Sequence, residues 1–299
     1  MLKELKAKYL FHTLLKRPNI NKAYAMVGPE DSWYDTITTV HESLKKIQAL
    51  PHEILIRKSH DGLKLKAVYY PSEGKSRGTV IYVHGYTSHA ERESAFPALF
   101  YHSLGFNVLI PYLRAHGLSQ GKYISLGALE TVDIMGWVRT INRKRPNDSI
   151  MIHGSSMGGG IVLCLSDQRM DNVKCMLADA PSTSIVGTLK RKAKDMYGKD
   201  GSRIARYAIR HFNEVFDVNA GDYDGLHTVK FSRYPLLVAA GSEENKSTVL
   251  AKIKKRNPQP TDVLTLPGCS HGNGMYKQTE MYQKAIESFL DRYIPKSER

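Results

Sequence analysis

Six short apolar segments, separated by stretches with helical character, constrain the fold of this 299-residue chain more than any other feature. Each is nearly continuous in apolar residues; they span residues 79–83, 106–110, 150–153, 174–178, 235–240 and 262–266. Strands that are buried on both faces have this composition, and strands that alternate with helices form parallel sheets covered on both sides. The sequence therefore predicts an α/β protein with a mostly parallel, doubly wound sheet.

Two more strands are predicted before the first of these segments. Residues 53–57 and 63–70 show apolar side chains at every second position around the turn His60-Asp61-Gly62, which is typical of an antiparallel hairpin. We expect this hairpin at one edge of the sheet, which gives about eight strands in total. Because ligands bind at the carboxyl ends of the strands in such sheets, functional residues are expected in the loops that follow the strands.

A turn of small residues follows the apolar segment 150–153. Its sequence is Gly154-Ser155-Ser156-Met157-Gly158, and an apolar helical segment comes directly after it. The glycines permit a strained backbone and a close approach of strand and helix, since a side chain at either position would clash. Ser156 is thereby lifted out of the sheet, while the Met157 amide opens the helix and can stabilise negative charge. This pattern predicts a nucleophilic serine.

Three other loops carry the groups that such a serine needs. The strand at 79–83 ends in His84-Gly85-Tyr86, and the Tyr86 amide can face the Met157 amide as a second donor. The strand at 262–266 is followed by a glycine-bounded loop with His271, whose ring can reach Ser156 as general base. The strand at 235–240 has an exit loop with carboxylates. The chain order serine, acid, histidine fits one fold much better than others.

On these residues the chain resembles the α/β-hydrolase superfamily, and within it the small bacterial serine esterases of the cinnamoyl-esterase type. The resemblance extends over roughly residues 50 to 295 and is far more specific for the fold than for the substrate. It implies that Ser156 is the nucleophile, that His271 is the base, and that the amides of Tyr86 and Met157 form the oxyanion hole. No cofactor or metal is expected, since the other histidines lack metal-like spacing with carboxylates or cysteines.

The acid that orients the histidine has three candidates. In the superfamily it is usually an aspartate three residues past the glycine that ends the strand, and counted from Gly241 that position holds Glu244. Glu243 is adjacent, and Asp179 ends the preceding strand. We favour Glu244, because glutamate orients a histidine equally well in electrostatic terms. The resemblance also places an aspartate where this chain has Tyr112, a change that we expect to alter the wall of the site and not its chemistry.

Two stretches lie outside the alternating pattern. Residues 1–50 contain two helical segments and are predicted to be an extension that docks on the core of the α/β-hydrolase domain at 51–299; a membrane-surface anchor or a dimer arm is the alternative. The connection at about 182–230 is long and helical, which is typical of a lid. It is also basic, so we hypothesise that it makes the pocket entrance cationic and favours acidic or phosphate-bearing acyl substrates. Charge reversal at Arg206 and Arg210 would test this. A solvated outer helix face is the plainer explanation.

Composition narrows the classes of partner. No segment approaches the ~20 apolar residues of a membrane span, the N-terminus lacks a secretory signal, and the three cysteines have no paired spacing. A cytoplasmic protein without disulfides is therefore expected. The net charge of +14 is spread along the chain without a nucleic-acid-binding module. The expected partner is a small-molecule ester, with neither nucleic acid nor integral membrane contact, and a homodimer is one form of assembly.

Together these features predict a serine hydrolase that cleaves carboxylic esters through an acyl-enzyme on Ser156. The same residues would serve an acyltransferase, a thioesterase or an amidase. A binding protein of the same fold without catalytic activity is the third alternative.

Overall fold

A central sheet of eight strands organises the computed structural model, which describes residues 2–19 and 30–296. In chain order the strands are β1 (Glu53–Lys58), β2 (Lys64–Tyr70), β3 (Gly78–Val83), β4 (Phe106–Pro111), β5 (Ile150–Ser155), β6 (Val173–Asp179), β7 (Leu236–Gly241) and β8 (Thr261–Leu266). Their spatial order is β1-β2-β4-β3-β5-β6-β7-β8. The pairs β1–β2 and β2–β4 are antiparallel, and the other neighbours are parallel. The predicted fold, with its hairpin at one edge, is confirmed.

Helices cover both faces of this sheet. In the described ranges they are α1 (Leu2–Leu15), α2 (Ile37–Gln48), α3 (Ala90–Ser103), α4 (Ala128–Lys144), α5 (Met157–Leu165), α6 (Ile185–Tyr197), α7 (Gly201–Phe216), α8 (Gly225–Thr228), α9 (Ser247–Arg256), α10 (Gly274–Lys277) and α11 (Thr279–Tyr293). Helices α4, α5 and α9 contribute to the apolar core on one face, and α2, α3 and α11 to the core on the other. No helix in these ranges combines the length and the apolar character that a membrane crossing requires.

Strand β3 illustrates why the apolar segments are continuous. Ile81 and Val83 belong to the core on the α4 side, whereas Val80 and Tyr82 belong to the core on the α3 side. All four side chains are buried because successive residues of a strand point to opposite faces and both faces are covered. Full burial of such a side chain contributes about 1.5–3 kcal/mol, so the apolar composition of β3 is a direct consequence of its central position.

The two N-terminal helices have different neighbours. Ala7 and Leu10 of α1 pack with Ile204 and Ala205 of α7, within the connection between β6 and β7. Ile47 of α2 instead belongs to the core beside α3. We call the β6–β7 connection, which carries α6, α7 and α8, the lid. The two helices thus pack against different parts of the molecule, α1 against the lid and α2 beside α3. The division into extension, domain and lid stays a prediction.

Candidate active site

Ser156 occupies the sharp turn between β5 and α5. Its backbone has φ 56° and ψ −111°, a conformation that costs a residue other than glycine of order 1–3 kcal/mol. The surrounding structure holds it there: the Ser156 amide donates to the Asp179 carbonyl at 2.8 Å, and the Ser156 carbonyl accepts from the amides of Gly160 and Ser182 at 3.1 and 3.0 Å. These three backbone hydrogen bonds therefore hold the serine side chain at the carboxyl end of the sheet.

The flanking glycines are required by close backbone contacts. A Cβ atom on Gly158 would overlap the carbonyl oxygen of Val83, and one on Gly154 would overlap the carbonyl oxygen of Gly158. Both contacts are with backbone, which cannot move aside as a flexible side chain can. The prediction that neither position accepts a side chain is confirmed.

Ser156, His271 and Glu244 form one chain of hydrogen bonds. The His271 ring lies with Nε2 2.8 Å from Ser156 Oγ and with Nδ1 2.5 Å from Glu244 Oε2. The second oxygen of Glu244 accepts from the Gly241 amide at 3.1 Å. Of the three acid candidates, Glu243 is exposed and Asp179 is buried below the turn at Ser156, and the one that hydrogen-bonds to His271 is Glu244.

A lysine that sequence reasoning missed accompanies this acid. Lys246 Nζ lies 2.8 Å from Glu244 Oε2 and donates to the Ala180 carbonyl at 2.6 Å. Burial alone would raise the pKa of Glu244, but the hydrogen bonds with His271 and Lys246 outweigh it and hold that pKa at about 2. The only sequence signal for Lys246 is its place two residues after the acid. The carboxylate is therefore ionised at neutral pH.

The amides of Met157 and Tyr86 are the two predicted oxyanion donors. Met157 begins α5, and neither amide donates to another group in the described part of the chain. The loop that carries Tyr86 is fixed by Glu93, whose two carboxylate oxygens accept from the Gly85 amide at 2.9 and 3.1 Å. Both amides are thus available to a ligand, and Glu93 holds the loop that carries one of them.

His84 shapes the same loop from below. Its Nε2 accepts from the Leu113 amide at 3.2 Å, so its Nδ1 carries the hydrogen and donates to the Gly85 carbonyl at 2.9 Å. Burial lowers the pKa of His84 well below its usual value. His84 is therefore a neutral structural group with both nitrogens occupied.

Comparison with known proteins supports the fold and the superfamily. A model of the family described as "Serine aminopeptidase, S33" matches residues 74–222. The uncharacterized protein YqkD of Bacillus subtilis is 24% identical over 262 residues, which cover 84% of this chain and 83% of YqkD. The Pyrococcus furiosus esterase Pf2001 has a TM-score of 0.64 at 23% identity and covers 83% of this chain and 94% of its own. The chain belongs to the α/β-hydrolase superfamily.

A second solved structure has the same fold. Est1E from Butyrivibrio proteoclasticus with bound ferulic acid has a TM-score of 0.64 at 19% identity and covers 81% of this chain and 100% of its own. The resemblance predicted from the sequence is thereby confirmed at the level of the superfamily. The description of the matched family as a serine aminopeptidase supports a hydrolase, and the solved structures support the fold.

Two cavities of this α/β hydrolase meet at Ser156 and His271. The first, of about 450 Å³, lies beneath α6, and we call it the lid-side cavity. The second, of about 320 Å³, lies beneath α2, and we call it the rear cavity. Arg191 and Lys192 line the lid-side cavity, whereas Arg206 and Arg210 do not. The proposal to test the basic lid through Arg206 and Arg210 was wrong, because both are exposed on α7, where Arg210 pairs with Glu4 of α1 at 3.2 Å.

Two acidic residues line the rear cavity: Asp179, which the sequence offered only as a candidate partner of His271, and Glu93, to which it assigned no role. Burial, together with the nearby Glu244 carboxylate, raises the pKa of Asp179 to about 7. Burial likewise raises the pKa of Glu93 to about 7. His153 is buried among them with its Nδ1 2.9 Å from the Tyr101 hydroxyl, and desolvation lowers its pKa to about 3. Near neutral pH this cavity therefore carries partly protonated acids and a neutral imidazole.

The segment before α2 braces the loop that carries His271. Trp33 Nε1 donates to the His271 carbonyl at 3.2 Å, and Asn273 Nδ2 donates to the Ser32 carbonyl at 3.1 Å. Trp33 also lines the rear cavity. No sequence pattern marks this pairing, because the partners lie more than two hundred residues apart.

Tyr112 lies away from both cavities. Tyr112 lines neither cavity, and its hydroxyl donates to Glu91, so the expectation that it alters the wall of the site was wrong. The buried aromatic ring instead pairs with the first turn of α3. Within residues 2–19 and 30–296, no three His, Cys, Asp or Glu side chains cluster so as to hold a metal ion.

Proposed function

We propose that this α/β hydrolase cleaves carboxylic esters through an acyl-enzyme on Ser156. The observation that carries the proposal is the unbroken chain from Ser156 Oγ to His271 Nε2 and from His271 Nδ1 to Glu244, at 2.8 and 2.5 Å. Such a chain activates a hydroxyl that is otherwise a weak nucleophile. The strained turn at Ser156 and the two uncommitted amides beside it support the same chemistry.

In the first step His271 Nε2 takes the Ser156 proton while Oγ attacks the ester carbonyl. Glu244 holds the tautomer with hydrogen on Nδ1 and stabilises the imidazolium that forms. A carboxylate with a pKa of about 2 stays ionised during this step and is no proton acceptor for it. The amides of Tyr86 and Met157 stabilise the oxyanion, and each such donor is typically worth about 3 kcal/mol.

In the second step His271 gives its proton to the departing alcohol and then removes one from water. The water attacks the acyl-enzyme, the carboxylic acid leaves, and the proton returns to Ser156 Oγ. Glu93 touches no reacting atom in this scheme. It is a positioning residue, because it holds the Gly85 amide and through it the loop that carries the Tyr86 donor.

The decisive experiment is labelling with a fluorophosphonate, which forms an adduct with an activated serine. We expect one adduct, mapped by peptide mass to Ser156, in the native protein and none in Ser156→Ala. A panel of p-nitrophenyl and hydroxycinnamoyl esters of graded acyl length then measures ester turnover and tests the cinnamoyl-esterase branch. A folded native protein that neither forms the adduct nor turns over any ester is instead the non-catalytic binding protein.

Amide cleavage is a second candidate, favoured by the match to a family described as a serine aminopeptidase. An aminopeptidase must hold the α-ammonium group of its substrate beside the nucleophile. The lid-side cavity has Arg191 and Lys192, which oppose a cation, so Asp179 and Glu93 in the rear cavity would have to receive it. Amino-acid p-nitroanilides assayed beside p-nitrophenyl esters separate the two activities, and we expect the esters to be preferred.

Other aspects of the function stay predictions. Transfer of the acyl group to an acceptor alcohol or thiol uses the same residues, and a product assay with and without such acceptors distinguishes it from hydrolysis. Cytoplasmic location and a homodimer likewise stay predictions from the sequence. The first is tested by fractionation of cells and the second by sedimentation of the purified protein.

A further inference from the structure

We propose that the lid-side cavity is a subsite for an anionic group of the substrate, which Arg191 and Lys192 bind. The proposal rests on the proposed ester hydrolysis at Ser156 and adds the class of ester. Its ligand is a carboxylate, phosphate or sulfate carried by the ester itself. Nothing in the mechanism above requires either cation.

Helix α6 has two distinct faces. Ile185, Leu189 and Ala193 are buried against the rest of the molecule. Thr188, Arg191 and Lys192 line the lid-side cavity, beside the N-terminal Ser184 of the helix. Their spacing of three and four residues places them on one helix face, so the two cations are part of the cavity wall.

Within residues 2–19 and 30–296 the charge of both cations is uncompensated. In the described part of the chain no carboxylate forms an ion pair with Arg191 or Lys192. Two other basic groups near the lid are already engaged: Arg210 pairs with Glu4, and Lys246 pairs with Glu244. Glu244 is also the only acidic residue that lines this cavity among the described residues. The lid-side cavity therefore carries an excess of positive charge.

Hydroxyl groups complement this charge. Ser182 and Thr188 line the same cavity, and a hydroxyl donates to an anionic oxygen as readily as to a neutral one. The rear cavity has the opposite character, since Asp179 and Glu93 lie there and no lysine or arginine lines it in the described ranges. An ester with one anionic end is therefore expected to bind with that end under the lid.

The first test measures the ratio of kcat/KM for two matched esters. Mono-p-nitrophenyl glutarate carries an anionic acyl group, and its methyl ester is the neutral counterpart. Since an exposed charge pair changes an equilibrium by up to about fivefold, two cations should give roughly a tenfold preference for the anion. A second pair, with a neutral acyl group and either a carboxylated or a plain phenol, determines whether the anion belongs to the alcohol. Raising the salt concentration should reduce the preference.

Two double variants of α6 provide matched controls. Arg191→Gln with Lys192→Gln removes the cavity cations and should abolish the anion preference. Lys190→Gln with Lys194→Gln removes the same charge from exposed positions that do not line the cavity, and should leave both the preference and the turnover of neutral esters unchanged. Circular dichroism and melting temperature check the fold of each.

The outcomes separate this proposal from the proposed function. If neutral esters are turned over and Ser156→Ala abolishes that turnover, the hydrolase is established. The subsite is then overturned if the native protein shows no anion preference in either ester pair. It is also overturned if both double variants change the preference equally, because the effect is then that of net charge alone.

Discussion

The two cavities meet at Ser156 and His271, and most of their other lining residues differ. Beneath the lid, Arg191 and Lys192 line the same cavity as Ser156 and form no ion pair with a carboxylate of residues 2–19 or 30–296. In the rear cavity, burial raises the pKa values of Asp179 and Glu93 to about 7. Ser156, directly after β5, lines both; the lid contributes Arg191 and Lys192 to one wall, whereas the N-terminal segment contributes Trp33 and Val40 to the other. We therefore expect the sheet to carry the proposed chemistry and the two added segments to determine which substrates reach it.

The largest expected effect tests whether both cavities depend on the same hydroxyl. We expect Ser156→Ala to lower kcat for every hydrolysed ester by at least about 10⁴-fold, because loss of the nucleophile removes the whole relay. The melting temperature should not fall, since the substitution removes one oxygen at a turn fixed by backbone contacts. The adjacent Ser155→Ala is the matched control and should retain turnover. Equal loss in both variants would contradict the assignment.

The second prediction contrasts the acids on the two sides of the serine. Glu244→Gln should lower kcat by about 10³-fold or more, because a neutral amide neither fixes the imidazole tautomer nor stabilises its cation. Asp179→Asn should retain most of the activity, although Asp179 was a candidate for the same role. Exposed Glu243→Gln is the control. If Asp179→Asn proves as severe as Glu244→Gln in steady-state kinetics, the acid has been assigned to the wrong cavity.

The third prediction concerns stability in the rear cavity. Asp179 has a folded pKa of about 7 against 3.8 for the free side chain, so the folded state binds more protons in between. Stability then falls as pH rises through this window, by roughly 2–3 kcal/mol between pH 5 and 8 for this residue alone. In Asp179→Asn the free energy of unfolding should not show this decrease of about 2–3 kcal/mol between pH 5 and 8. Glu244 contributes in the opposite direction, but its stabilisation is lost only as pH falls from about 4.5 to about 2, outside the range.

Urea unfolding at pH 5 and pH 8 measures this difference. Glu93 titrates in the same window and is present in both proteins, so the quantity to compare is the change in free energy of unfolding of the native chain minus that of Asp179→Asn. A difference near zero would mean that Asp179 is ionised in the folded protein at pH 5. The rear cavity would then be anionic, and its contrast with the lid-side cavity would be sharper.

The sequence predicts features that depend on neighbouring residues better than features that depend on contacts between residues far apart in the chain. The strands follow from local apolar composition, and the turn at Ser156 follows from five adjacent residues, in which Gly154 and Gly158 occupy positions that have no room for a side chain. The order of the loops then indicates Ser156 and His271. Among three candidate acids the sequence favoured Glu244 without deciding, because Asp179 ends β6 and Glu244 follows the end of β7, and only side-chain geometry tells which one contacts the histidine.

The rear cavity had no such local signal. Its wall combines Trp33 and Val40 with Glu93 and Asp179, which come from distant parts of the chain and join only when α2 packs over α3. The charge of the lid was visible in the sequence, but which cations face inward depends on how α6 and α7 are rotated. That rotation is set by packing against α1, and it places Arg191 at the cavity and Arg210 outside.

The smallest expected effect tests whether the N-terminal segment acts on the site or only covers it. Trp33→Phe removes the hydrogen bond from Nε1 to the His271 carbonyl at 3.2 Å and keeps an aromatic ring against Tyr276. A hydrogen bond of this kind contributes about 0.5–1.5 kcal/mol, so a histidine loop that is held less firmly should lower kcat by about two- to tenfold. Tyr34→Phe, an exposed neighbour, is the control. A change confined to KM would show that Trp33 shapes the rear cavity without positioning His271, whereas a fall in kcat with unchanged KM makes the segment part of the relay's support.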